Sequence, residues 1–137
     1  MGAFLRSVLG IVVGVVVALA IITGFDFLSS SLFPLPPGVD PFDPAQLQAV
    51  MDQIPAAAFG IILLGWAAAS FFGAWLAARI AGRAPFVHGM TVAVLLLVAG
   101  VLNMMLVPHP IWVWVLGVAA FIGFGYLGSK LAERTMA

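Results

Sequence analysis

The sequence predicts an all-α membrane protein: four transmembrane helices in an antiparallel bundle, with a short amphipathic helix in the first outer loop. Three observations carry this. Of 137 residues, 64% are hydrophobic and 7% charged, against about 25% charged in soluble domains. With a mean hydropathy of +1.24, the chain has too little polar surface to cover itself in water. Four apolar runs each supply the roughly 20 helical residues that cross ~30 Å of hydrocarbon. Threading those four runs through a bilayer places every Lys and Arg on one side. Residues 1–137 therefore read as one transmembrane domain, with spans at about 4–28, 56–80, 86–107 and 111–131 and a proline-rich outer segment at 33–55.

Span 1 carries Gly10, Gly14 and Ala18 at intervals of four, which puts small residues on one helix face where a neighbouring helix can approach. Residues 1–31 are expected to be an uncleaved anchor. Ser29 and Ser31 resemble a small-x-small cleavage site, but the apolar run at 8–24 exceeds the 7–15 residues of a signal core. Asp26 lies about 20 residues beyond Arg6, which at ~1.5 Å per residue places it near the far interface. An ionisable group there is read first as a wetted interfacial carboxylate, and second as a functional one.

Residues 33–44, FPLPPGVDPFDP, cannot continue a helix. Asp43 reads as an N-cap, with Pro44 at the first helical position and Gln46 three residues on. Phe42 and Leu47 have the spacing of a hydrophobic staple. Leu47, Val50, Met51 and Ile54 then recur on one face, opposite Gln46, Gln48, Asp52 and Gln53, so an amphipathic helix is expected up to Pro55. It should lie at the outer rim with its apolar face on lipid or over the bundle mouth; its sharpest role would be a lid.

Span 2 is the organising stretch. Gly65, Ala69, Gly73 and Ala77 form a smooth stripe on which a second helix or chain can pack closely. Trp66 falls at mid-span and is read as packing, although a buried indole N–H usually needs a partner. Trp75 stands four residues before Arg79, in reach of a ring–guanidinium contact. Gly82 and Pro85 close a tight basic turn. Span 3 carries His88 at its opening and, near its end, Asn103, whose amide is expected to hydrogen-bond across to a neighbour. After Val107-Pro108-His109-Pro110, span 4 carries Trp112, Trp114 and Tyr126, suited to the interfacial belts, and glycines 117, 123, 125 and 128.

Arg6, Arg79, Arg83, Lys130 and Arg134 share one side, and Asp26, Asp40, Asp43 and Asp52 the other. The basic side, with both termini, is expected to be cytoplasmic. His88 and His109 lie at opposite ends of span 3, ~30 Å apart, so no shared metal site is expected. The chain has no cysteine, no HExxH, no phosphate-binding glycine loop and no nucleophile elbow. No catalytic residue set or cofactor is expected, and a net charge of zero points away from nucleic acid. One polar grouping is geometrically available: Asp26, Asn103 and His109 all fall at the outer end.

The segments PPGVDPFDP (36–44), the Trp66 stretch leading into AARIAGR (77–83) and NMMLVPHPIWVW (103–114) resemble a group of small bacterial four-span inner-membrane proteins known only as hypothetical proteins. The resemblance implies a bacterial inner-membrane location and no substrate. The leading functional expectation is a structural or accessory subunit of a membrane assembly, or a homo-oligomer, docking through the small-residue faces. The second is a small transporter or ligand-binding membrane protein using Asp26, Asn103 and His109; a lipid-handling enzyme is the weakest.

Overall fold

The computed structural model describes residues 2–137, and every regular element in them is a helix. Four helices are long and apolar enough to cross a membrane: α1 (Ala3–Leu32), α3 (Ala56–Ala81), α4 (Pro85–Leu106) and α5 (Ile111–Met136). The short helix α2 (Pro44–Ala49), second in chain order, precedes a single 3-10 turn at Met51–Gln53. Helix α3 is central and packs against each of the other three long helices. Helix α1 lies chiefly on α3 and only lightly on α4, whereas α5 packs on α3 and α4.

Small residues hold the bundle together, and large ones face outward. Ala69, Ala74, Ala77 and Ala78 are fully buried along α3, while Val16, Leu64, Phe72, Val98 and Leu116 are each at least half exposed. Such an exterior is costly in water. It is the pattern expected where lipid supplies the apolar solvent and close backbone approach supplies cohesion.

The two small-residue stripes meet each other inside the chain. A Cβ placed on Gly10 lies 2.6 Å from the Ala77 carbonyl oxygen, and one on Gly14 lies 2.6 Å from that of Gly73. One on Gly73 lies 2.8 Å from the Gly14 carbonyl oxygen, and one on Gly65 lies 2.5 Å from Cβ of Phe25. Thus Gly10, Gly14, Gly65, Gly73 and Ala77 build the antiparallel α1–α3 contact, and Ala69, at the same spacing on α3, is fully buried. The faces expected to receive a partner chain are covered by the protein's own helices.

Buried hydroxyls complete the packing. Ser29 donates to the Ala58 carbonyl at 2.9 Å, tying the end of α1 to the start of α3. Ser70 donates to the Phe121 carbonyl at 2.6 Å, joining α3 to α5.

At the end bearing both termini, Gly82 closes α3 with φ +69, a left-handed turn that glycine adopts without steric penalty. The Arg6 guanidinium lies over it and donates to the Ile80 carbonyl at 3.3 Å, placing a cation on the negative end of the α3 dipole. Arg83 reaches Ser7 at 3.3 Å and Arg79 reaches Thr135 at 3.2 Å. The guanidinium of Arg79 also stands 5.8 Å from the Trp75 ring centroid.

Several sequence expectations need adjustment. Helix α1 runs to Leu32 and α5 to Met136, both past their expected ends. The amphipathic segment breaks at Val50 and tightens into the 3-10 turn. The Asp43 cap is present, accepting from the backbone N–H of Ala45 at 2.9 Å and of Gln46 at 3.4 Å. The staple is absent, because Phe42 is 91% exposed. A polar clip stands in its place: Gln46 Oε1 accepts from the Asp40 N–H at 2.8 Å. Leu47 is buried, and Met51 and Ile54 pack on the bundle core, so this segment sits over the mouth. Trp114 packs partly into the core, unlike the exposed Trp112 and Tyr126.

Candidate functional site

A cavity of about 380 Å³ opens between α1 and α4 at the end opposite the termini. Its origin is local. Where Val92 meets the Gly14–Gly73 crossing, α1, α3 and α4 close together. Further along α4, the residues that line the cavity include Ala99 and Gly100, which lack the bulk to fill the gap. Gly100 also admits the Phe121 ring from α5, which a Cβ there would strike. The ring of Phe121 stacks on Trp66, with centroids 5.2 Å apart and planes 21° apart, and this pair forms the floor.

Asp26, Asn103 and His109 all line this cavity. Each is placed by its own element. Phe25 keys onto Gly65, and Ser29 onto Ala58, so the rotation of α1 is fixed and Asp26, one residue round from Phe25, turns toward α4. Its carboxylate makes no hydrogen bond or ion pair among the described residues. On α4, Met104 is buried in the core, leaving Asn103 on the cavity side. The amide of Asn103 makes no side-chain hydrogen bond among the described residues, so the expected cross-helix bond is not formed. Both Asp26 and Asn103 are exposed at the rim.

His109 sits in the turn between α4 and α5. Its Nδ1 lies 2.7 Å from the Val107 carbonyl oxygen. A carbonyl can only accept, so Nδ1 carries the proton and the neutral ring presents Nε2 as an acceptor. Burial pushes the imidazole below its ordinary pKa, opposed in part by the Val107 hydrogen bond. The ring is held by Phe59 and Trp66, with centroids 6.1 and 6.0 Å away.

Trp66 adds a donor that the sequence reading took for packing. Its side chain is 4% exposed, and its indole N–H has no hydrogen-bond partner among the described residues. Yet no enclosed side-chain nitrogen or oxygen there lacks a partner, so this N–H retains access to open space. The benzo edge abuts Gly117 on α5, and the side chain lines the cavity. A Trp at mid-span is the signal the sequence offers; Gly100 and Phe121 carry none.

No residue from the proline-rich loop or α2 lines the cavity, so this segment does not close the site. No group of three or more metal-ligating side chains occurs among the described residues. No family model, curated protein or solved structure matches the chain. What the fold and site define is a class: an all-helical protein with four helices fit to span a membrane, carrying an apolar cavity with a polar rim.

Proposed function

We propose that this protein is a ligand-binding membrane protein whose cavity, at the outer end of the bundle, takes a small amphiphile. The observation that supports this reading is the convergence of three under-bonded polar side chains and one unpaired indole N–H on a single apolar cavity. Ligand sites are mostly apolar pockets of about 300–1,000 Å³ with a few polar groups that fix orientation, and polar groups at membrane depth are expensive to leave unpaired. The rim between α1 and α4 faces the apolar exterior, so a molecule dissolved in the membrane reaches it sideways. The small-residue stripes pair within the chain, so they lend no support to an accessory or oligomeric role.

Orientation belongs to the same proposal. All five basic residues cluster at the end bearing the termini, which supports a cytoplasmic placement of both termini. The cavity then opens within the outer leaflet of a bacterial inner membrane, with the lipid bilayer as the constant partner.

The test is photo-crosslinking in nanodiscs with an alkyl diazirine probe, mapped by peptide mass spectrometry. Labelling should concentrate on the cavity-lining stretches of α1 and α4, and Ala99→Phe, which projects a ring over the rim, should abolish it. Labelling spread evenly over the exposed apolar surface, unchanged in Ala99→Phe, would count against the site.

A further inference from the structure

We infer that the amphiphile carries a protonated amine head group; this rests on the cavity being a binding site and adds its charge preference. Asp26 is the only acidic side chain bordering the cavity, and it has no cationic partner among the described residues. None is within reach along the chain: Arg6, on the same helix, lies 20 residues away, or ~30 Å. All basic residues gather at the far end, while Asp40, Asp43 and Asp52 join Asp26 at this one. The chain therefore gathers negative charge at this end of the bundle and supplies no positive charge there to match it. Such a field concentrates cations at the mouth.

The hydrogen-bonding inventory points the same way. Asp26 offers carboxylate oxygens, Asn103 an amide oxygen, and His109 an Nε2 lone pair left free by the Nδ1 bond to Val107; the donors beside them are the Asn103 NH2 and the Trp66 N–H. A primary ammonium carries three N–H donors and a charge, and suits an acceptor-rich rim. An anionic head would meet Asp26 with like charge, and a quaternary ammonium has no hydrogen to donate. Below the rim, Leu19, Ile22 and Leu96 with the Trp66–Phe121 floor accept an alkyl body.

The experiment is a titration of the protein in zwitterionic phosphatidylcholine nanodiscs, read by the ¹⁵N indole resonance of Trp66, assigned with Trp66→Phe. The probes share a twelve-carbon chain: dodecylammonium, dodecyltrimethylammonium, 1-dodecanol and dodecyl sulfate, each compared at equal mole fraction in the lipid. Dodecylammonium should half-saturate the shift at a mole fraction lower by about tenfold or more than dodecanol, since hydrogen bonds to charged groups exceed neutral ones by that order. Asp26→Asn should bring the two together. Equal half-points for dodecylammonium and dodecanol in the wild type overturn the amine preference and leave the cavity reading standing. Equal half-points for the primary and trimethylated cations overturn the N–H contribution. No shift with any probe overturns both readings. The wild-type comparison is decisive by itself, even if Asp26→Asn folds poorly.

Discussion

At the scale of single residues, His109 shows how one backbone carbonyl sets side-chain chemistry. The Val107 oxygen fixes the proton on Nδ1, and burial disfavours the imidazolium. Because the folded-state pKa is depressed, the unfolded chain binds the extra proton first as pH falls. Stability from a neutral His109 is thus fully present above its ordinary pKa of about 6.5 and is lost as pH drops below that value. The thermal midpoint of the wild type in detergent should fall between about pH 7.5 and pH 5, and His109→Gln should show a smaller fall; an equal fall in both would assign the pH dependence elsewhere. The sequence placed Asp26, Asn103 and His109 at one end because span counting alone fixes which end a residue occupies. It did not reveal that Asn103 is unbonded or that the Trp66 N–H is free, because both depend on the rotation of helices about their axes. Apolar periodicity specifies that rotation poorly in a helix apolar on every side.

At the scale of elements, the α1–α3 contact rests on backbone approach. Gly14→Val puts a branched side chain against the Gly73 carbonyl and should destabilise the bundle by roughly 1–3 kcal/mol, measured as a shift in the denaturing-detergent midpoint. Gly24 lies on the same helix with open space around its Cβ position. There Gly24→Ala should be neutral or stabilising by up to about 1 kcal/mol, because alanine is the better helix former. Equal losses at both positions would refute the close-packed crossing. The stripes themselves were legible, since spacings of four show in any sequence. Their partner was not, because a small-residue face looks the same whether it meets another chain or its own. Helix α2 shows a different limit. Its Asp43 cap follows from local chemistry and was readable, whereas its break at Val50 lies past the reach of the cap and accompanies the packing of Met51 and Ile54 on the core.

At the scale of the whole molecule, small residues inside, large apolar residues outside and basic residues at one end describe a protein built for lipid. The absence of cysteine makes the orientation easy to check. A membrane-impermeant maleimide should label Phe42→Cys, in the loop after α1, in intact cells, and Ala137→Cys only after lysis; the reverse pattern would invert the topology. The four spans and their shared ends were readable because each long apolar run satisfies the bilayer by itself. The cavity was not, since it is a gap defined jointly by four helices and a turn, and arises where Ala99 and Gly100 leave α1 and α4 apart. The most direct measurement of its role is native mass spectrometry of wild type and Ala99→Phe, purified in nanodiscs from their own membranes. The wild type should retain a small molecule at one per chain that Ala99→Phe lacks; an empty wild type, or the same mass carried by both, would contradict the account.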